Sequence, residues 1–492
     1  MDRPRYPSLF QVNTRAYLSQ RACELGRPAT LDDVPDEALD AWARAGFDLI
    51  WLLGVWQTGP AARRVSETKA EWLEEYRRAL PDFAPEDVCG SCFAVQAYRV
   101  HEALGGDGSL ARLRARLATR GLRLILDFVP NHTAPDHPWA GEHPESYVGG
   151  TEAQLAAQPQ NYSRREGGRI LAYGRDPYFD GWPDTLQLNY GNPDVQAAMR
   201  RELLKIGGQC DGVRCDMAML VLPEVFERTW GIQAEPFWPR ATQAVREAFP
   251  GFLFLAEAYW DLEWALQQQG FDYVYDKRLY DRLAAGQARP AREHLQADLA
   301  FQNRLARFLE NHDEPRAAET FAPDVHRAAA VVTFLAPGLR FFHQGQLEGR
   351  KVKIPVHLRR GPAEPAEPAV RTFYDALLGC LRDPVFREGE WRLLACRAAW
   401  EGNWTWDCFM AFAWTGGAGE KRLVAVNYAD HASQCYVAMP WPGLESRMWR
   451  LSDRLGRAVY VRNGSDLAYH GLYLDMPAWA YHVFQVEPVD GG

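Results

Sequence analysis

At 492 residues the chain is too long for one small domain and suits a large barrel with a satellite domain. Hydrophobic residues make up 47% and charged residues 24%, a globular balance that excludes disorder over most of the length. The net charge of −9 argues against nucleic acid or another polyphosphate partner and is compatible with a neutral substrate such as a sugar.

The opening MDRPRYPSLFQVN lacks the apolar core of a signal peptide, and no run approaches the length of a membrane span. The nine cysteines are an odd number in a long chain, which reads as free thiols in a reducing cytoplasm. Eighteen tryptophans and twenty tyrosines serve equally well as core or as platforms for the apolar face of a sugar ring, so composition does not choose between them.

In chain order, short β-branched and aromatic runs occupy 10–18, 48–55, 122–129, 212–216, 252–258, 271–275, 305–309 and 338–342. Amphipathic stretches such as 109–120 and 194–207 separate them. Alternation of this kind implies parallel βαβ units, and eight of them imply a closed (β/α)8 barrel. The barrel is expected in two parts, 1–132 and 197–385. A Pro-, Gly-, Asn- and His-rich insertion, 133–196, breaks it after the third strand. A second insertion, 58–90, carries one expected helix over 66–80, and 361–369 reads as a loop. From 386 to 492 strands and turns dominate, including 423–426 and 459–461 with a turn at 462–464. That pattern predicts a C-terminal antiparallel β-sandwich.

Four segments join an apolar run to acidic residues: Asp-Phe-Val-Pro-Asn-His at 127–132, Asp-Gly-Val-Arg-Cys-Asp at 211–216, Phe-Leu-Phe-Leu-Ala-Glu at 252–257 and Phe-Leu-Glu-Asn-His-Asp at 308–313. Glu257 follows Asp216 by 41 residues, room for one βα unit, and Asp313 follows Glu257 by 56, room for two. The carboxylates can therefore meet at the C-terminal mouth of one barrel. Glycoside cleavage needs such a set: one ionised carboxylate to attack the anomeric carbon and one protonated carboxyl to release the leaving oxygen. Period-2 geometry puts Arg214 and Asp216 on one face of their strand, with Cys215 on the other. A guanidinium beside Asp216 keeps it ionised. A single acid at a strand end is better explained as a helix cap; four in this order are not.

These segments resemble the four conserved regions of the α-amylase superfamily, glycoside hydrolase family 13. The stretch Leu186-Gln-Leu-Asn189, the segment 338–346 and the ending 477–484 resemble further parts of that family. The resemblance implies that Asp216 is the nucleophile, Glu257 the general acid/base and Asp313 the residue that binds ring hydroxyls. It also implies that His132 and His312 bind the reacting sugar and that Arg214 orients the nucleophile. Phe93 and Asp127 are placed with the substrate-binding side chains. Departures are Phe93 and Ala97, where many members carry Tyr and Asp, and Met219-Leu220, where typical α-amylases carry Lys-His. The second pair suggests an apolar acceptor region and counts against a calcium site, although Asn131 matches one ligand position. No metal or cofactor is expected.

Three other signals weigh less. Cys89-Gly-Ser-Cys92-Phe93 nearly spells a papain-type signature, but no histidine lies between His143 and His294 to serve it. Cys89/Cys92 and Cys210/Cys215 are better read as core thiols than as zinc ligands, and the spacing of His132, His137 and His143 fits no standard metal site. The expected activity is retaining hydrolysis of α-glucosidic bonds in oligosaccharides or small α-glucosides. The alternative is a transglycosylase or isomerase with the same triad. A non-catalytic sugar-binding relative would not need an acid and a nucleophile together.

Overall fold

The computed structural model describes residues 4–489. Eight parallel strands close into a barrel: β1 (Ser8–Asn13), β2 (Leu49–Leu53), β3 (Arg123–Phe128), β4 (Gly212–Cys215), β5 (Leu253–Ala256), β6 (Tyr273–Tyr275), β7 (Leu305–Arg307) and β8 (Leu339–His343). Neighbours follow chain order around the ring, and β8 pairs with β1. β2, β4, β5 and β8 are buried along their whole length, because helices cover one face and barrel-filling side chains the other.

The run at 10–18 is not one element. Asn13 ends β1 and accepts a hydrogen bond from the Ala16 N–H at 3.2 Å, so the helix Thr14–Leu25 starts there. The helix expected over 66–80 is two, Pro60–Thr68 and Ala70–Ala79, broken at Lys69, where ψ is 114°. The halves serve different small cores: Ala62 packs with Ala94 and Ala134, whereas Tyr76 packs with Leu80, Val88 and Leu358. A single straight helix cannot face both.

After β3 the chain leaves the barrel through a segment of short pairings. His132–Thr133 pairs with Leu186–Gln187, and Tyr162–Arg164 with Ile170–Ala172. It returns through the helix Pro193–Gly207. Further on, the stretch expected as a loop over 361–369 ends in the helix Pro368–Leu381.

The C-terminal region is a sandwich of two antiparallel sheets. The larger runs Glu390–Leu393, Phe409–Thr415, Lys421–Asn427, Tyr481–Pro488, Met448–Asp453 and Val459–Asn463, and the smaller Cys396–Arg397, Ser433–Val437 and Leu472–Met476. They share a core that includes Leu423, Val437, Leu474 and Phe484. The turn expected at 462–464 is a helix start: Asn463 accepts from the N–H groups of Ser465 and Asp466 and caps Gly464–Tyr469. Trp414 Nε1 donates to Leu335 O (2.9 Å) and Tyr428 Oη to Leu283 O (2.8 Å), tying the sandwich to the barrel. All nine cysteines are free thiols. Among the described residues no helix is long and apolar enough to cross a membrane.

The start of β8 is tightly constrained. Gly338 has φ +110°, and a Cβ there would sit 2.3 Å from Leu305 O of β7. Gly286, at φ +68°, has nothing within 4 Å. Gly338→Ala should therefore lower the urea unfolding midpoint by an amount worth roughly 1–3 kcal/mol or more. Gly286→Ala should cost only ~1 kcal/mol. Equal losses in the two variants would rule out the close approach as the constraint.

Candidate active site

Register aligns the site before any side chain is considered. Arg214 on β4 lies opposite Asp127 on β3 and Leu255 on β5. One step further, the Asp216 N–H donates to Phe128 O (2.8 Å) and the Glu257 N–H to Cys215 O (3.1 Å). Asp216 and Glu257 thus leave adjacent strand ends at one level.

Arg214 is fully buried. Its Nη1 lies 2.5 Å from Asp216 Oδ1, its Nη2 2.7 Å from Glu257 Oε2, and the same Nη2 4.0 Å from Asp313 Oδ2. Nε donates to Tyr275 Oη at 3.3 Å. The rings of Trp51 and Phe93 flank the guanidinium at 5.3 and 5.2 Å, close enough for cation–π attraction.

Glu257 accepts two further hydrogen bonds. The Met217 N–H donates to Oε2 (2.7 Å), an approach permitted by the left-handed backbone of Met217 at φ +43°, and Tyr259 Oη donates to Oε1 (2.9 Å). Burial pushes the Glu257 carboxyl above its ordinary range; Arg214 opposes that shift, and the charges of Asp216 and Asp313 add to it. Asp313 is raised by burial, against Arg214. Its side chain keeps 43% of its surface open, so water offsets part of that effect.

Asn311 presents Asp313: its Oδ1 accepts from the N–H groups of Asp313 (2.8 Å) and Glu314 (2.9 Å). Gln11 Nε2 lies 2.9 Å from His312 Nδ1, which makes that nitrogen the acceptor and leaves the ring proton on Nε2, 3.1 Å from Asp313 Oδ2. Burial and then Arg214 hold His312 well below the ordinary histidine range, so the ring is neutral. His132 is also kept neutral by burial and packs against Trp182, with ring centroids 5.3 Å apart. Phe93 lies over both Arg214 and His312. Asp216, Glu257, Asp313, Arg214, His312 and Phe93 therefore form one contact cluster, and His132 lies beside it at the start of the insertion.

The catalytic-domain model of the alpha amylases matches residues 93–354, a little over half the chain. The chain belongs to the alpha-amylase family. "Alpha-amylase MalA" of Haloarcula japonica is 23% identical over 351 residues, 70% of this chain and 44% of that protein. "Trehalose synthase/amylase TreS" of Mycobacterium tuberculosis is 31% identical over 185 residues, 33% of this chain and 29% of that protein. The matches thus span less than half the length of these relatives. Among solved structures, a noncanonic maltogenic alpha-amylase, AmyB, from Thermotoga neapolitana superimposes with a TM-score of 0.70 at 17% identity, covering 99% of both chains. An alpha-amylase from Lactobacillus plantarum does so with 0.68 at 20%, covering 98% of both.

Two sequence expectations need correction in this alpha-amylase-family chain. Asp127 does not present itself to a sugar: it is 1% exposed, and its two oxygens accept from Trp51 Nε1 (2.9 Å) and the Gly54 N–H (2.7 Å). It braces the floor under Arg214, and burial pushes it up to about 6. Met219 and Leu220 do not form an apolar acceptor surface, because the turn at Met217 folds them inward and both are buried. The amide oxygen of Asn131, the residue matching a calcium-ligand position, accepts from Gln187 Nε2 at 3.0 Å. Among the described residues no cluster of three His, Cys, Asp or Glu side chains could hold a metal. Cys210 and Cys215 are buried core thiols.

Sequence reasoning missed Tyr259, Tyr275, Trp51 and Gln11. Three of them lie in runs already marked as strands, but nothing local sets their side chains apart from core.

Arg214→Met should leave Asp216 and Glu257 buried without their cation. Glu257, already raised by burial and no longer opposed by Arg214, would then hold its proton to still higher pH than in the unfolded chain, so stability is retained at low pH and lost as pH rises. Relative to the parent, the variant should lose about 3–5 kcal/mol near pH 8 and clearly less near pH 5 in denaturant unfolding. A loss independent of pH would contradict the pairing.

Proposed function

We propose that this chain hydrolyses α-glucosidic bonds of oligosaccharides or small α-glucosides with retention of configuration, through a covalent intermediate on Asp216. The observation that carries this reading is one buried guanidinium shared by two carboxylates in unlike surroundings. Asp216 has its oxygen on Arg214, which favours the anion a nucleophile requires. Glu257 is raised by burial, which favours the proton a general acid requires.

In the first step an Asp216 oxygen bonds to the anomeric carbon as the glycosidic C–O bond breaks, and Glu257 gives its proton to the departing oxygen. In the second, Glu257 takes a proton from water, the water oxygen bonds to the anomeric carbon, and the Asp216 ester bond breaks. Asp313 and His312 would bind ring hydroxyls. Arg214 Nη2 and His312 Nε2 contact the carboxylates of Glu257 and Asp313 without a well-directed hydrogen bond, so a ring hydroxyl can compete for both donors. His132 and Phe93 would complete the subsite.

Transfer to a sugar hydroxyl is the second reading. The similarity to a trehalose synthase/amylase favours it, as does an aromatic surface just beyond Glu257. Trp260 and Asp261 both adopt left-handed backbone, and the Trp260 ring meets half-exposed Tyr178 of the insertion at 4.9 Å. That pair could stack an acceptor sugar on the leaving-group side.

Asp216→Asn and Glu257→Gln should each lower kcat by several orders of magnitude with the fold intact. Near-parental turnover in either variant would remove the assignment. NMR of products from a panel of α-glucosides should record the α-anomer first: free glucose marks hydrolysis, and longer or rearranged sugars mark transfer. Tyr259→Phe removes a donor that favours ionised Glu257, so the alkaline limb of kcat/KM should move to higher pH. A limb that stays put or moves down would argue against Glu257 as the acid.

A further inference from the structure

A cavity of about 550 Å3 lies apart from the three carboxylates, none of which lines it. It opens between the helix Thr14–Leu25, the end of the strand Trp56–Thr58 and the turn at 101–104. Arg15, Arg63, Arg359 and His101 line it, and no acidic side chain does. Such a concentration of cations is out of keeping with a chain of net charge −9.

The three arginines are held differently. Arg15 is anchored by neutral acceptors, Cys89 Sγ at 3.1 Å, Gly90 O at 2.8 Å and Thr58 Oγ1 at 3.1 Å. No carboxylate among the described residues pairs with Arg15 or with Arg359. Arg63 has one partner, Glu67, at 2.8 Å. His101 Nδ1 accepts from the Ala103 N–H at 3.1 Å, which puts the proton of the neutral ring on Nε2. Burial and then Arg15 disfavour a proton on the second nitrogen; Glu102 opposes them and Arg359 adds to them, so the cavity's cations bear on this ring.

Positive groups gathered around one cavity repel where their carboxylate neighbours, Glu67, Glu102 and Asp87, lie outside its lining, and a bound anion reduces that repulsion. Guanidinium forks and an imidazole N–H match phosphate oxygens. The lining also includes apolar Leu18, Ala29 and Leu104, and the volume falls within the range of about 300–1,000 Å3 for small-molecule sites.

We propose that this cavity binds a small phosphate ester, its phosphate against Arg15, Arg63 and Arg359 and its carbon portion against the apolar lining residues. The site is independent of the glycosidase reading. It is connected to the active site through the chain: Arg15 grips Cys89 and Gly90, four and three residues before Phe93, whose ring covers Arg214.

Isothermal titration calorimetry of the full chain tests it, with glucose 6-phosphate, inorganic phosphate and glucose as separate probes. Glucose 6-phosphate should bind, inorganic phosphate should bind more weakly, and glucose should not compete with the ester. The double variant Arg63→Ala/Arg359→Ala, whose arginines lie outside the core, should bind the ester roughly tenfold or more weakly. Its circular dichroism and thermal midpoint should stay close to the parent's, which separates lost binding from lost folding. Absence of ester binding, displacement of the ester by glucose, or parental affinity in the folded double variant would each overturn the proposal.

Discussion

A fully buried arginine shared among acids is the contact on which the site depends. Arg214 is surrounded by Asp216, Glu257, Asp313 and Asp127, and each carboxylate would be costly in that setting without the cation. The cation would be equally costly without them. The cluster therefore exists only as a balanced group, and the balance is uneven by design of position. Asp216 and Glu257 meet different amino groups of the one guanidinium, while Glu257 also faces two neighbouring negative charges. The two carboxyls that share the guanidinium therefore stand in unlike surroundings, as the proposed acid-assisted displacement requires.

The barrel supplies the precision. Asp127, Arg214 and Leu255 lie side by side on β3, β4 and β5, so a slip of one residue between these strands would separate the floor from the clamp. Asp127 passes the constraint on to β2 through Trp51 and Gly54, and Trp51 in turn flanks Arg214. From the other side, Gln11 on β1 sets the tautomer of His312, which follows β7. Elements from β1 to β7 thus hold one cluster through direct contacts, and side chains that never touch a substrate set the geometry of those that would.

Much of this was legible in the sequence because it is periodic or local. Eight apolar runs gave eight barrel strands, and the acids ending four of them were recognisable from type and spacing. The shared face of Arg214 and Asp216 followed from period 2. What was not legible depended on long-range packing. The run at 10–18 looks uniform, yet Asn13 spends its side chain on a helix cap. The helix at 66–80 breaks because its halves pack on different small cores. Asp127 reads like its acidic neighbours until Trp51 on β2 and Gly54 just after it claim both its oxygens. Met219 and Leu220 look like a surface change and are interior because Met217 turns the chain inward. The arginine-lined cavity gathers residues 15, 63, 101 and 359, whose proximity no local pattern announces.

The most direct test of the account is to trap the intermediate. The full chain would be incubated with 5-fluoro-α-D-glucosyl fluoride, whose slow second step accumulates the glycosyl-enzyme, and the labelled peptide identified by mass spectrometry. The account predicts one fluoroglucosyl group per chain on the Asp216 carboxylate, and none on Asp216→Asn. A label on another residue, or continued turnover of α-glucosides with no covalent species at any time, would contradict it.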